Sequence, residues 1–228
     1  MENHERAQTG VARTPGEMFN AASHFAGFLL GAAALAILVT LAARRGGALH
    51  IASLSVYGAS LCLLYLGSAA YHFSAWLGAP RATAVFQRLD HCVIFVLIAG
   101  SYTPVCLVVL GGGWGWSLFG VVWGLALLGV LLRLVIKKTD NPFTYSLYGI
   151  MGWIALVGIA PLARALDARG LALLAGGGVA YTAGAVLLAL KRPRLWPGVF
   201  GYHELWHVFV LTGSALHFLM MLWFVVPR

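Results

Sequence analysis

Seven long apolar runs dominate this chain and restrict what it can fold into. They occupy approximately residues 20–42, 49–71, 88–110, 114–136, 143–163, 170–190 and 203–226. A membrane-spanning helix needs about 20 mostly apolar residues to cross about 30 Å of hydrocarbon, so each run is long enough for one crossing. Continuous runs such as 29–41 and 118–132 lack the alternating pattern of a transmembrane β-barrel. The sequence therefore predicts an all-α integral membrane protein, a bundle of seven transmembrane helices.

The composition excludes the other common classes of protein. Of the 228 residues, 61% are apolar and 10% are charged, whereas a soluble domain carries about 25% charged residues. Three cysteines are too few for a disulfide scaffold, and because they lie inside apolar runs without CxxC spacing, they indicate no redox compartment. Residues 1–19 are polar and lack the apolar core of a signal peptide. We expect a short cytoplasmic tail over 1–19 and a single transmembrane domain over 20–228.

Lysine and arginine positions predict the orientation of the bundle. With a cytoplasmic N-terminus and an outer C-terminus, ten of the 15 basic residues fall in cytoplasmic segments, as the positive-inside rule requires. These ten are Arg6, Arg13, Arg81, Arg88, Arg133, Lys137, Lys138, Lys191, Arg192 and Arg194. Because they are scattered over short segments, they favour anionic lipid headgroups as partners rather than nucleic acid. The sequence leaves any protein partner unknown, and the expected location is the inner (plasma) membrane, as a multi-pass protein.

Glycine is frequent within the apolar runs. The chain has 28 glycines, and those inside runs include Gly27, Gly31, Gly120, Gly124, Gly176, Gly177, Gly178 and Gly184. Small residues allow helix backbones to approach closely within a membrane. These positions are therefore predicted to be helix-packing contacts.

Six ionisable residues lie within or beside the runs, where such groups are costly and are functional candidates by default. They are His72 at the end of the second run, Asp90 and His91 at the start of the third, and His203, Glu204 and His207 at the start of the seventh. With a cytoplasmic N-terminus, all six fall at the cytoplasmic ends of their helices, at similar depth. The orientation was derived from lysine and arginine alone, so this agreement is an independent indication of one shared site.

The spacing of the histidines indicates a metal site. His203 and His207 are four residues apart and share one helix face, and Ser68 stands in the same relation to His72. Three neutral imidazoles with one open position are typical of a catalytic zinc ion. Asp90 could hold or deprotonate a water molecule there, or support a ligand. Asp90 and His91 point about 100° apart on a helix, so we expect Asp90 to face the site and His91 to support it. The alternative is an interhelical hydrogen-bond cluster without metal.

Residues 203–207 also match the pattern H-E-x-x-H, in which metalloproteases use the glutamate as general base. The extended form of this motif is absent because positions 210 and 213 are valine and glycine. Glu204 is therefore a candidate for proton transfer, or for an ion pair with a basic residue of the inner flank such as Arg88.

The remaining histidines within the runs have simpler interpretations. His24 lies about one turn into the first run and is a candidate to line the site, whereas His50 is expected at the interface. His217 follows His207 by ten residues, which is about 15 Å along a helix. We therefore expect His217 to be a buried, hydrogen-bonded side chain rather than a metal ligand.

Several linked motifs, in order along nearly the whole chain, resemble the hemolysin III family. They are Glu17–Asn20 with Ser23–His24, Ser68–His72, Arg88–His91 leading to Gly100–Pro104, and Phe200–Val210. That family is the bacterial branch of the progestin and adipoQ receptors, which include the adiponectin receptors and are distantly similar to alkaline ceramidases.

The resemblance implies seven helices with one zinc ion near the inner leaflet and a role in membrane homeostasis. By motif, it assigns the zinc ligands to His72, His203 and His207, and it places Ser68 and Asp90 beside the metal-bound water. The adiponectin receptors usually carry glutamine at the position of Glu204, which favours Asp90 over Glu204 as the base.

Three functions remain as hypotheses at this point. The first is a zinc-dependent hydrolase of a lipid amide bond, similar to a ceramidase. The second is a non-enzymatic, zinc-stabilised membrane sensor or receptor-like protein. The third is a pore-forming haemolysin or a proton-coupled transporter, which is disfavoured because runs four to six offer almost no polar lining.

Overall fold

A computed structural model describes residues 14–136 and 142–227. The described residues form seven helices that are long and apolar enough to cross a membrane. These helices are α1 (Pro15–Arg45), α2 (Ala48–Leu77), α3 (Pro80–Leu110), α4 (Gly112–Val135), α5 (Phe143–Ala165), α6 (Ala168–Leu190) and α7 (Tyr202–Val225). Within the described ranges, β structure is limited to one isolated bridge between Trp196 and Phe200. The predicted all-α, seven-helix membrane fold is confirmed, while residues 1–13 of the expected tail lie outside the described residues.

The first three helices are longer at the end that carries the candidate site than the apolar runs suggested. Helix α1 begins at Pro15, α2 continues to Leu77 and α3 begins at Pro80. Local capping explains the early start of α1. Thr14 is its N-cap, its hydroxyl accepts a hydrogen bond from the backbone N–H of Glu17, and proline suits the first helical turn. Hydropathy detects only the apolar centre of a helix, whereas capping decides where it begins.

Three helices contain turns that depart from α geometry. The last turns of α3 (Val105–Leu110) and α7 (Met221–Val225) are π-helical, and the middle of α5 (Ile154–Gly158) is a 3₁₀ segment. The π segment of α3 follows Pro104, a residue that cannot donate the usual backbone hydrogen bond. All three departures lie away from the cluster of ionisable residues.

Helix packing brings α1, α2 and α7 together. Helix α2 packs along both α1 and α3, α6 packs along α7, and α7 also contacts α1. One buried apolar cluster joins α1, α2 and α7 through residues such as Leu38, Leu61 and Val210. A second cluster joins α3, α4 and α5 around Phe95 and Val122. The first cluster supports the helices whose starts and ends carry the ionisable residues.

The glycines of the bundle divide into packed and open positions. A Cβ atom on Gly27 would lie 2.7 Å from the Tyr65 ring, and one on Gly184 would lie 2.6 Å from Phe209 Cβ. These two positions confirm the prediction of close helix approach. Gly120, Gly124 and Gly178 have no heavy atom within 4 Å of such a Cβ, so the same prediction is wrong for them.

Replacing Gly184 by alanine should lower the free energy of unfolding by about 1–3 kcal/mol, the usual cost of overpacking. The obstructing Phe209 Cβ is fixed to the backbone of α7, so it cannot rotate away. Gly178→Ala is the matched control because it lies on the same helix with open space around its Cβ. Unfolding of both variants in detergent micelles tests this, and equal destabilisation of the two would contradict it.

Candidate metal centre

Three histidines from two helices converge at one end of the bundle, which we call the histidine end. His72 lies near the end of α2, and His203 and His207 lie on the first turns of α7. One ligand atom from each ring lies within 4.8 Å of the other two. The ring centroids are 5.1 Å apart for His72 and His203, and 4.7 Å apart for His72 and His207. This group, the histidine triad, could hold a metal ion, as predicted from the spacing of His203 and His207 and the depth of His72.

The chemistry of the triad fits a divalent cation. Two nitrogens on one tetrahedral zinc ion lie about 3.4 Å apart, given Zn–N bonds of about 2.0–2.1 Å, so small ring movements would close the observed separations. His72 and His207 are each only 1% exposed. Nδ1 of His207 is buried and has no hydrogen-bond partner among the described residues. A buried nitrogen without a partner is costly, and coordination of a cation would satisfy such an atom.

Glu17 orients the first of these rings. Nδ1 of His72 lies 2.7 Å from Oε2 of Glu17. A carboxylate only accepts hydrogen bonds, so Nδ1–H of His72 donates and Nε2 keeps its lone pair for a metal. Carboxylate–histidine pairs of this kind fix the tautomer and orientation of metal ligands. Sequence reasoning did not assign Glu17 to the site, although Glu17, Asn20 and His24 follow the i, i+3, i+7 spacing of one helix face.

Glu204 joins α7 to α1. Its Oε2 accepts a hydrogen bond from the backbone N–H of Gly201 at 2.7 Å, which caps the start of α7. Its Oε1 accepts from Nδ2 of Asn20 at 3.1 Å. Both carboxylate oxygens of Glu204, a candidate for proton transfer from the sequence, are thus engaged in structural hydrogen bonds. The ion pair with Arg88 that was considered from the sequence does not occur among the described residues.

His24 lies directly against the triad. Its ring stacks on His207 with centroids 3.7 Å apart and planes inclined by 29°, and it meets Tyr65 edge-on. His24 is 3% exposed, and neither ring nitrogen has a hydrogen-bond partner among the described residues. His24 does not belong to the histidine triad, whose ligand atoms all lie within 4.8 Å of one another. The structure therefore places His24 as a lining residue beside the triad.

Asp90 and His91 point in different directions, as their adjacent positions on a helix require. The hydroxyl of Ser68 and the ring of His72 both lie near the carboxylate of Asp90. Nδ1 of His91 lies 2.5 Å from Nη2 of Arg133, and Tyr148 donates a hydrogen bond to the backbone carbonyl of His91. Asp90 therefore belongs to the surroundings of the triad, and His91 supports the neighbouring contact between α3, α4 and α5.

A cluster of hydroxyl groups lies further into the bundle and was missed by sequence reasoning. Tyr65 donates a hydrogen bond to Oγ of Ser214 at 2.7 Å, and the hydroxyl of Tyr181 lies 2.8 Å from the same oxygen. These bonds join α2, α6 and α7, and they give α6 a polar group facing the bundle. His217 follows on α7, where its Nε2 lies 3.2 Å from the carbonyl of Leu174. The hydrogen-bonded role expected of His217 is consistent with this contact.

Replacing Glu17 by glutamine should weaken metal affinity by about 10- to 100-fold, the usual cost of removing a partner of a metal-ligating histidine. The neutral amide accepts more weakly from Nδ1–H of His72 and no longer strengthens Nε2 as a ligand. Competition with a coloured chelator measures the change. Glu204→Gln is the matched control, because Glu204 bonds Asn20 and Gly201 rather than a triad residue. Equal losses in the two variants would contradict the assignment of Glu17.

Fold and site together define a multi-pass membrane protein of seven helices, with a buried histidine group at one end that could hold a metal ion. The model of the family described as Haemolysin-III related matches residues 13–218, and the chain belongs to this family. The resemblance drawn from the linked motifs is therefore confirmed.

Individual relatives include bacterial members of this family and a more distant human protein. The chain is 37% identical to "Hemolysin-3" of Bacillus cereus over 211 residues, which cover 92% of each chain. It is 35% identical to "Hemolysin-3 homolog" of Bacillus subtilis (strain 168) over 210 residues, 92% of this chain and 94% of that protein. The human "Monocyte to macrophage differentiation factor" is 27% identical over 165 residues, 72% of this chain and 66% of that protein. This last similarity supports the wider progestin and adipoQ receptor superfamily.

Proposed function

We propose that the protein binds one zinc ion through His72, His203 and His207 and hydrolyses an amide bond of a membrane lipid. The observation that carries the proposal is the convergence of the histidine triad with the carboxylate of Asp90 at one end of the bundle. Three imidazoles without a fourth protein ligand are typical of catalytic rather than structural zinc sites. Among the described residues, the group of side chains close enough to share a metal ion consists of these three histidines.

Zinc held in this way supplies Lewis acidity toward a carbonyl oxygen and toward water. Residues around the triad would transfer the proton and orient the groups that react. Asp90 accepts a proton from the attacking water and returns it to the leaving amine, as a general base and then a general acid. Ser68 lies beside the carboxylate of Asp90 and would orient it. Glu17 accepts a hydrogen bond from Nδ1–H of His72, which would leave Nε2 free for the metal.

A lipid substrate follows from the position of the site. All three triad residues lie on membrane-spanning helices, and His72 and His207 are almost fully buried. A water-soluble substrate would have to leave water to reach them, whereas a lipid already lies at that depth. The basic residues at the histidine end favour the cytoplasmic leaflet of the inner membrane, where the activity would serve membrane homeostasis.

The proposal is tested with purified protein in detergent micelles that contain ceramides and other amide-linked lipids. The zinc-loaded protein should release fatty acid from at least one amide lipid, and the chelated protein should not. Ester-linked lipids with the same acyl chains control for non-specific lipase activity. Absence of turnover across the panel, with one zinc ion bound per chain, would contradict the hydrolase.

The contacts of the site also support a second candidate, a zinc-stabilised sensor without catalysis. Glu17 and Asn20 on α1 bond His72 on α2 and Glu204 on α7, respectively, so the site ties three helices together. In that case zinc would stabilise the bundle, and Asp90→Asn would leave the cellular phenotype of the protein intact. The lipid assay and this phenotype together distinguish the two candidates.

A further inference from the structure

A groove lies at the end of the bundle opposite the histidine triad, between α1, α6 and α7. Its volume is about 640 Å³, within the range of about 300–1,000 Å³ that ligand pockets occupy. Helix α1 contributes Leu41 and Arg45, and α6 contributes Arg169 and Leu173. The last turn of α7 contributes Leu222 and Trp223. None of these residues belongs to the metal centre.

Charge and apolar surface are layered in this groove. Arg45 follows Leu41 by four residues at the end of α1, and Leu173 follows Arg169 by four residues at the start of α6. Four residues correspond to about 6 Å along a helix axis. Since α1 ends and α6 begins at this end of the bundle, both arginines lie at the rim, and both leucines lie one turn deeper toward the bundle centre.

The two arginines are available to an anion. Among the described residues, Arg45 takes part in no ion pair. Nη2 of Arg169 lies 3.4 Å from Oδ2 of Asp167, but the two side chains are 80% and 49% exposed, and exposed pairs of this kind contribute little. Oδ1 of Asp167 is already engaged by the backbone N–H groups of Arg169 and Gly170. The rim therefore offers two guanidinium groups above an apolar wall.

We propose that this groove binds an anionic phospholipid of the leaflet opposite the metal centre. Guanidinium groups donate paired hydrogen bonds to phosphate oxygens, so Arg45 and Arg169 would hold the lipid phosphate from two sides. One acyl chain would lie along Leu41, Leu173 and Leu222. Trp223 is 51% exposed, and tryptophan at this depth is typical of the membrane interface. Because the arginines lie at the rim and the apolar side chains lie deeper, the groove should bind a lipid in preference to a free anion.

Native mass spectrometry of the protein, exchanged into micelles containing phosphatidylglycerol or phosphatidylcholine, tests the proposal. The wild-type chain should retain phosphatidylglycerol in preference to phosphatidylcholine. Arg45→Gln combined with Arg169→Gln should weaken this retention about tenfold or more, since each charge-assisted contact contributes measurably. Asp167→Asn should strengthen it, because asparagine still caps α6 while the competing charge is removed.

The matched control is Arg44→Gln combined with Arg164→Gln. It removes the same charge from exposed arginines at the same end of the bundle, neither of which lines the groove. This control should retain phosphatidylglycerol like the wild type. The proposal would be overturned if both double variants lost phosphatidylglycerol equally, or if the wild type retained the two lipids equally. It would also be overturned if inorganic phosphate alone raised the Tm of the wild type as much as phosphatidylglycerol does. The wild-type comparisons decide the matter even if the Arg45 and Arg169 variant fails to fold.

Discussion

Replacing His207 by alanine should reduce bound zinc from about one ion per chain to almost none. His207 is 1% exposed, and its ring contacts His24, His72 and His203, so it occupies the centre of the site. Loss of one of three ligands leaves two imidazoles, which cannot enclose the cation in a water-poor environment. The variant should also lose the stability that metal binding confers, which is about 4 kcal/mol when zinc is present at a thousand times its Kd.

Metal analysis of the detergent-purified protein, with thermal unfolding before and after chelation, measures both effects. Chelation should lower the Tm of the wild type and leave that of His207→Ala unchanged. His217→Ala is the matched control, because His217 lies on the same helix but contacts the backbone carbonyl of Leu174 rather than the triad. It should keep its zinc whatever its stability. Retention of zinc by His207→Ala at the wild-type level would refute the ligand assignment.

Much of the candidate site was predictable because it depends on local spacing. His203 and His207 share a helix face wherever a helix forms, and the long apolar runs require helices. His72 could be placed at the same depth because charge bias oriented the bundle without reference to histidine. Asp90 and His91 diverge for the same geometric reason, and the contacts with Ser68 and Arg133 agree.

Other parts of the site depend on contacts between helices, which spacing alone does not define. Glu17 precedes the first apolar run, so it was assigned to the tail, although a cap at Thr14 extends the helix through it. The H-E-x-x-H pattern suggested a catalytic Glu204, but Asn20 and Gly201 engage both its oxygens. The position of Asn20 relative to α7 follows from the packing of α1 on α7, and this is a tertiary feature.

The contact between Ser214 and two tyrosines is another feature that residue spacing alone does not define. Tyr65, Tyr181 and Ser214 lie on three helices and are separated by at least 33 positions along the chain. Each hydroxyl alone looks like an ordinary polar residue in an apolar run. Burial in lipid makes an unpaired hydroxyl unfavourable, so pairing could be expected, but its partner depends on how the helices are arranged.

Asp90→Asn should reduce lipid amide hydrolysis by about 10²- to 10⁴-fold, the usual contribution of a general acid–base group, while zinc content stays at the wild-type level. Asparagine has nearly the shape of aspartate and still offers an oxygen atom to the nearby hydroxyl of Ser68, so the fold should be preserved. It cannot take a proton from water at neutral pH. Rate measurements on the zinc-loaded variant, with metal content and Tm determined on the same sample, separate lost chemistry from lost structure.

Two further variants make the test of Asp90 specific. Asp167→Asn makes the same chemical change at the opposite end of the bundle and should leave turnover unchanged. Ser68→Ala removes the hydroxyl beside the carboxylate of Asp90 and should reduce turnover less than Asp90→Asn, because the carboxylate itself remains. Turnover by Asp90→Asn within about twofold of the wild type, a difference too small to reflect loss of a proton-transfer group, would exclude Asp90 as the base. Loss of zinc from that variant would instead make Asp90 part of the metal site.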